Sequence, residues 1–249
     1  MVEPRVEGET HRVARESLRT TPTPFARLDA DIYGNPFRRF LAPKGFFCFD
    51  FNATVETTPN ASLPKDVTET VPQNLPVDVL PFTLASRYCP SDRLIAFAGS
   101  EFGRKKTGAA KVQAIAGWVN TKVRYEYNTT DSTTGADEVI LKRAGVCRDF
   151  AHLVVALCRA MSLPARYVSG YCLGLDPPDF HAWAQIYLGD RWHNIDATFG
   201  GTRPALVPIA HGRDAADVSL LTLWSPTTVR EQSVAVREVF AEELLGEAD

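Results

Sequence analysis

Cys147, His181 and Asp196 are the residues of this 249-residue chain whose types and spacing could perform nucleophilic chemistry. Cys147 opens a segment with apolar residues at helical spacing, namely Phe150, Leu153, Val154, Leu157 and Met161. A thiol at a helix start lies among unpaired backbone N–H groups and the positive end of the helix dipole, which favour its thiolate. The same N–H groups could bind an oxyanion forming beside the sulfur. The pattern predicts a nucleophile; the alternative is a small apolar residue that begins a core helix.

A predicted β-hairpin brings the second and third residues together. Residues 179–188 are rich in aromatic and apolar residues, Gly189-Asp190 favours a turn, and residues 191–198 fit a returning strand. A two-residue loop then places His181 and Asp196 on one face as diagonal neighbours. We therefore expect the carboxylate to orient the imidazole, which would act as the base.

Other polar residues nearby fit structural roles better. The hairpin register turns His193 to the opposite face, away from His181. On the helix, His152 lies about 140° and Asp149 about 200° round from Cys147, so neither stacks over the sulfur. We expect His152 to be a buried, hydrogen-bonded histidine and Asp149 to complement the helix N-terminus.

The elements that position these residues follow from periodicity. Helices are predicted over 91–103, 109–122, 136–143 and from Cys147 to about Met161, and strands over 123–127 and from Pro164 onward. Towards the N-terminus, residues 47–55 alternate between apolar and polar, and Tyr33-Gly34-Asn35-Pro36 favours a turn. This pattern predicts a small module of antiparallel strands like a β-sandwich. A connector rich in proline, from Pro59 to Pro81, marks its boundary.

Composition limits the classes of partner and compartment. The chain is 45% hydrophobic and 23% charged, as in ordinary globular proteins, and its net charge of −3 provides no general attraction for nucleic acid or anionic membranes. It contains no apolar segment long enough to cross a bilayer and no apolar signal-peptide core. The five cysteines lack metal-ligand spacing, so we expect free thiols, a cytoplasmic location, and neither a metal nor a cofactor.

The long segments around these residues resemble the transglutaminase-like superfamily, whose core is related to papain-like cysteine peptidases. The similarity is carried by GVCRDFAHLVVALCRAMSLPARYVSGY (145–171) and DFHAWAQIYLGDRWHNIDAT (179–198), and more weakly by residues 86–94 and 211–219. It looks closest to bacterial transglutaminase-like proteins of unassigned substrate. The resemblance implies an α+β fold and a catalytic triad of Cys147 as nucleophile, His181 as general base and acid, and Asp196 as the orienting carboxylate.

With this resemblance, the chain divides into three predicted parts. Residues 1–75 form the N-terminal β module, residues 80–225 the transglutaminase-like catalytic core, and residues 226–249 a C-terminal tail that packs on the core. The order cysteine, histidine, aspartate matches that of the family.

Substrate contacts are predicted for two further residues. Trp183 shares the predicted face of His181 and could form a wall of the cleft. Gln185 shares that face as well, and many relatives carry a glutamate there, so it could affect substrate choice or local charge. For the oxyanion, the backbone N–H of Cys147 is the best-supported donor; a side-chain donor stays open, with Gln113 and Trp118 as guesses.

The resulting functional hypothesis is acyl transfer on an amide through a thioester. The amide could belong to a peptide, an isopeptide or a glutamine side chain of a protein or peptide substrate. Hydrolysis is favoured over cross-linking, because nothing in the sequence indicates a tunnel that excludes water. The alternative is a catalytically silent module of this fold that binds a protein or peptide. Oligomeric state is left open.

Overall fold

A computed structural model describes residues 1–5, 7–8, 10–58, 62–105, 107–200 and 205–240. Within these ranges helices combine with mainly antiparallel sheets, which confirms the predicted α+β class. Pro59 of the predicted connector and residues 241–249 of the predicted tail lie outside the described residues.

Antiparallel strands make up the N-terminal region. They are β1 (Glu7–Gly8), β2 (His11–Thr21), β3 (Phe25–Ala30), β4 (Pro36–Leu41) and β5 (Cys48–Thr57). A three-stranded sheet has the order β1-β2-β5, and β3 pairs with β4 as a separate hairpin. The alternating segment at 47–55 lies in β5 from Cys48 onward, and the predicted turn at 33–36 ends at Pro36, the first residue of β4. The boundary of this module near residue 75 stays a prediction.

Four helices and two very short strands lead into the core. In chain order they are α1 (Ile95–Phe102), α2 (Gly108–Lys122), β6 (Arg124–Tyr125), α3 (Ala136–Lys142), β7 (Ala144–Gly145) and α4 (Cys147–Ala160). The helix predicted at 91–103 begins as a 3₁₀ turn over Ser91–Leu94, and the strand predicted at 123–127 pairs only at Arg124–Tyr125. The predicted bounds of the nucleophile helix are correct to within one residue.

A four-stranded antiparallel sheet carries the rest of the core. Its strands are β8 (Ala165–Cys172), β9 (His181–Leu188), β10 (Arg191–Ile195) and β11 (Leu206–Gly212), in the order β10-β9-β8-β11. The β9–β10 register is the predicted one, with Leu188 opposite Arg191 and Ala184 opposite Ile195. The returning strand is shorter than predicted, because the Asp196 side chain accepts a hydrogen bond from Thr198 N and begins a 3₁₀ turn.

The core lies between α4 and this sheet. Leu153, Val154 and Leu157 of α4 are fully buried, and they belong to one cluster with Ile186 and Leu188 of β9. Burying an aliphatic side chain of this size contributes about 1.5–3 kcal/mol, so this stripe is a main source of the helix's stability. It also fixes where α4 begins relative to β9.

Arg159, near the end of α4, connects the helix to the loops around the core. It is 4% exposed, and its guanidinium donates to the carbonyl oxygens of Phe82, Leu84, Ala165 and Arg213 at 2.7–3.0 Å. A buried guanidinium is tolerated only when its N–H groups have partners, which these carbonyls provide.

The end of the described chain has no regular structure. Residues 226–240 contain neither helix nor strand, and most of their side chains are exposed. In the part of the chain that the structure describes, no helix has both the length and the apolar character needed to cross a membrane.

Replacing Arg159 by methionine should lower the free energy of unfolding by about 3 kcal/mol or more. The Arg159→Met side chain fills similar space but leaves buried carbonyls without donors. Urea unfolding measures the change. The exposed Arg93→Met control should cost under about 0.5 kcal/mol. A loss below about 1 kcal/mol for Arg159→Met would mean that the carbonyls have other donors.

Candidate active site

The nucleophile candidate Cys147 is the first residue of α4 and is half-buried. Asp149 fixes the helix start, because its Oδ2 accepts hydrogen bonds from Val146 N at 2.9 Å and from Thr130 Oγ1 at 2.5 Å. Gly145 lets this carboxylate approach, since a Cβ at that position would lie 2.8 Å from Asp149 Oδ2. Asp149 thus complements the helix N-terminus, as predicted.

His181 and Asp196 lie in direct contact. His181 Nε2 is 2.8 Å from Asp196 Oδ2, and the two residues are 3% and 0% exposed. The other carboxylate oxygen, Oδ1, accepts from Thr198 N at 3.0 Å, which holds the group in place. The Cys147 thiol lies beside the imidazole and acts on its charge. Because Nε2 faces Asp196, Nδ1 is the ring nitrogen left for the sulfur.

The charged form of His181 is favoured in the folded protein. Burial lowers its pKa, but the hydrogen bonds to Asp196 and Cys147, with their negative charges, outweigh burial and raise the pKa to about 9. An imidazolium beside the thiol stabilises a thiolate and holds a proton ready for a leaving group. The charged imidazole therefore places a proton donor beside the thiol.

Tyr125 is a residue of the site that the sequence did not reveal. β6 pairs with β7 so that Tyr125 lies opposite Gly145, and its ring packs 5.9 Å from that of Phe150 on the first turns of α4. The phenol lies near Cys147. Burial, the nearby Cys147 charge and the contact with Tyr127 raise the pKa of Tyr125, so its hydroxyl keeps its proton.

The earlier guesses for a side-chain oxyanion donor do not fit the structure. Trp118 packs against Phe97 and Phe102 with ring centroids 5.3 and 6.4 Å away, and Gln113 is exposed on α2. Tyr125 has the better position. The sequence did not reveal Tyr125, because its position depends on the β6–β7 pairing. That pairing joins residues twenty positions apart in the chain and consists of two residue pairs.

The other histidines near the site have structural partners. The His152 ring lies between Tyr88 and Tyr167 with centroids 5.2 and 4.8 Å away, and its Nε2 accepts from Ala215 N. Burial lowers its pKa to about 3, so the ring is neutral. His193 Nε2 lies 3.0 Å from the Leu188 carbonyl oxygen, at the far end of the hairpin from His181. Both positions agree with the predicted structural roles.

The two predicted substrate contacts point elsewhere. Trp183 is 1% exposed, its ring stacks 6.1 Å from His181, and its Nε1 donates to Asn194. This burial leaves little surface for a substrate and places Trp183 behind the imidazole as a support. The Gln185 amide accepts from Arg166 and donates to Asn194, so its polar atoms already have partners within the protein.

Within the described residues, no three His, Cys, Asp or Glu side chains are grouped so that they could hold a metal ion.

Comparisons with known proteins agree with this geometry. A sequence profile of the Transglutaminase-like superfamily matches residues 96–197, which include all three site residues. A crystal structure from Cytophaga hutchinsonii, described as a candidate cysteine protease, superposes with a TM-score of 0.79 at 39% identity. The match covers 88% of this chain and 76% of that one. The chain belongs to the transglutaminase-like superfamily.

More distant relatives occur in mycobacteria. An uncharacterized protein of Mycobacterium tuberculosis is 33% identical over 144 residues, covering 51% of this chain and 46% of the relative. One from Mycobacterium leprae is 30% identical over 145 residues, covering 54% and 51%. The chain thus spans about half the length of the curated relatives that it matches.

The Asp196→Asn variant should lose stability in a pH-dependent way. The pKa of His181 is raised to about 9 in the folded state from 6.5, so stabilisation by the protonated pair is complete below pH 6.5 and is lost as pH rises through about 9. The difference in unfolding free energy between wild type and variant should therefore be largest near pH 6 and shrink toward pH 9.

Urea unfolding across this pH range measures that difference. The exposed Asp92→Asn substitution is the control and should give a small difference that does not vary in this window. If the difference in unfolding free energy between wild type and Asp196→Asn did not change with pH, protonation of His181 beside Asp196 would be contradicted.

Proposed function

We propose that this transglutaminase-like protein is a cysteine-dependent enzyme that transfers the acyl group of an amide through a thioester. The observation that carries the proposal is the contact series from Cys147 to His181 to Asp196, with the thiol at a helix start and the imidazole charged. The roles of nucleophile, general acid–base and orienting carboxylate follow from this arrangement.

The first half-reaction forms the thioester. The Cys147 thiolate attacks the amide carbonyl carbon, and the carbonyl π electrons move to oxygen, which gives a tetrahedral oxyanion. Collapse breaks the C–N bond, and His181 donates its proton to the leaving nitrogen, so that an amine or ammonia departs. The neutral imidazole left behind is then the base for the second half-reaction.

Two donors are available to the oxyanion. The backbone N–H of Cys147 is unpaired within the helix, because it lies in the first turn. The second is the phenol of Tyr125, which lies near Cys147 and keeps its proton because its pKa is raised. It can donate a hydrogen bond to the same oxyanion.

Hydrolysis is the resolution that we favour. In the second half-reaction, neutral His181 removes a proton from water as the water oxygen attacks the thioester carbon. The C–S bond then breaks, which releases a carboxylic acid and restores the Cys147 thiolate and the charged imidazole. Tyr125 beside the thiol is 44% exposed, so the site is open to solvent. The same chemistry with an amine in place of water would give cross-linking.

The substrate class that fits is a protein or peptide amide. A net charge of −3 argues against a general affinity for nucleic acid or anionic membranes.

The state of the cysteines supports a reducing compartment such as the cytoplasm. All five are free thiols in the structure, namely Cys48, Cys89, Cys147, Cys158 and Cys172.

A catalytically silent binding module is the second candidate function. A silent module has no need for a buried carboxylate–imidazole pair in contact with a thiol, and burying such a pair is costly. The presence of that pair therefore favours the enzyme.

The Cys147→Ala variant should abolish turnover while the protein stays folded. Loss of a nucleophile lowers kcat by several orders of magnitude, and the half-buried first residue of a helix contributes little to the core. A panel of peptide and glutamine substrates, with and without an added amine, measures release of amine or ammonia. Intact mass of the wild type should reveal an acyl-enzyme on Cys147.

Cys158→Ala is the matched control. Cys158 is fully buried in the same helix, so this change should lower stability and leave kcat of the folded protein nearly unchanged. Iodoacetamide at neutral pH should label Cys147 ahead of Cys89, because burial raises the pKa of Cys89 to about 12. Equal activity of Cys147→Ala and wild type would remove the enzyme assignment.

The Tyr125→Phe variant should lower kcat by about ten- to hundredfold with little change in KM. Removing the hydroxyl removes a donor used only as the oxyanion forms, while the ring and its contact with Phe150 stay. Steady-state kinetics measure both constants. Tyr127→Phe, in the exposed ring that contacts Tyr125, should behave as wild type. If instead KM fell and kcat held, the phenol would only block the site.

A further inference from the structure

A cavity lies on the face of the main sheet opposite α4. Ala165 belongs to the cluster packed on α4, so its neighbour Arg166 projects to the other face, by the alternation of a strand. The cavity has a volume of about 430 Å³, within the range of about 300–1,000 Å³ typical of small-molecule sites. Its walls come from β8, β10, β11, the β3–β4 loop and residues 78–84.

Aromatic rings form one side of this cavity. Phe82 meets Trp192 edge-on with centroids 5.4 Å apart, and Tyr33 packs 5.5 Å from Phe82. The Arg166 guanidinium lies 4.1 Å from the centre of the Trp192 ring. An aromatic or flat apolar group could stack among these rings.

Positive charge and an N–H donor form the other side. His211 is 8% exposed, and Arg5 Nη1 lies 3.2 Å from its Nδ1. Since a guanidinium can only donate, Nδ1 accepts and the ring proton is on Nε2. Burial, then the charges of Arg166 and Arg5, lower the pKa of His211 to about 2, so the ring stays neutral in a positive field. Among the described residues Arg5 is the imidazole's hydrogen-bond partner, which leaves the Nε2–H donor for a ligand.

The residue at position 185 does not offset the charge of Arg166. Arg166 Nε donates to Gln185 Oε1 at 2.7 Å, and the amide is neutral. A carboxylate at this position would offset the guanidinium charge instead. Asp78 on the rim is the acidic side chain of the cavity wall, whereas Arg213 at the other end is paired with Asp217.

We propose that this cavity binds a carboxylate attached to an aromatic group, as in a free aromatic acid or the aromatic C-terminal residue of a peptide. The carboxylate accepts from His211 Nε2 and lies beside Arg166, and the ring stacks among Phe82, Tyr33 and Trp192. The site is separate from the thiol, because Arg166 is four residues along β8 from Gly170, the partner of His181, or about 13 Å.

Calorimetric titration of the full-length protein with N-acetyl-L-phenylalanine tests the proposal. Saturable one-to-one binding is expected both for wild type and for Cys147→Ala, so failure of the proposed catalytic function leaves this test intact. N-acetyl-L-phenylalanine amide, which lacks the carboxylate, should bind at least about tenfold more weakly.

Substitutions at the cavity mouth and beside Arg166 locate the binding. Leu84 is 63% exposed on the cavity wall, so Leu84→Glu should repel the carboxylate and weaken binding about tenfold, whereas Leu84→Gln should bind as wild type. Gln185→Glu, which offsets the charge of Arg166 at nearly unchanged shape, should weaken binding to a similar degree. The distant Arg93→Gln should have no effect.

Further ligands identify the source of the carboxylate. If N-acetyl-L-phenylalanine binds more tightly than 3-phenylpropionate, the site is supported and assigned to a peptide terminus. If the two bind equally, the site is supported and assigned to free aromatic acids. If inorganic phosphate bound as tightly as either of these ligands, the proposed role of the aromatic group would be overturned. The proposal is overturned outright by the absence of binding up to about 10 mM, or by binding that is insensitive to both Leu84→Glu and Gln185→Glu.

Discussion

The packing of α4 against β9 is the constraint on which the candidate active site depends. Cys147 is the first residue of the helix and His181 is the first residue of the strand, so each reactive side chain lies at the end of its element. Their approach is set by the buried stripe behind them, where Leu153 and Leu157 meet Ile186. A core at close-packed density cannot slide by a fraction of a residue, and this rigidity keeps the thiol and the imidazole beside each other.

The same structure buries several charged groups, and each is buried with hydrogen-bond partners. Asp149 accepts hydrogen bonds from Val146 and Thr130. Asp196 is hydrogen-bonded to Thr198 and His181. Arg159 donates to carbonyl oxygens of the surrounding loops. Because an unpaired buried charge is costly, these partners restrict each side chain to one orientation. The orientation of Asp196 therefore comes from the strand end as well as from the imidazole.

Local pattern was sufficient where the relevant contacts are local. The hairpin parity predicted the contact of His181 with Asp196, and helical spacing predicted the start of α4 at Cys147, because both depend on neighbours in the chain. Tyr125 could not be predicted this way, since a two-pair parallel contact brings it to the helix start. The strand β11 was missed because Pro208 interrupts its pattern, and the ladder shifts register between Pro208 and Ala210.

The two sites lie on one face of the sheet and are separated along its strands, because Arg166 pairs with Gln185 and Gly170 pairs with His181. Buried contacts join the sites through the sheet: Arg166 binds Gln185, Gln185 and Trp183 both donate to Asn194 Oδ1, and Trp183 stacks on His181. Trp183 cannot shift freely, because Gly170 lies against its ring and a Cβ there would come within 2.6 Å. Coupling between two sites needs an element with two arrangements. The structure shows the contacts from Arg166 to His181 in one packed arrangement, so a ligand beside Arg166 should alter His181 through charge rather than through movement.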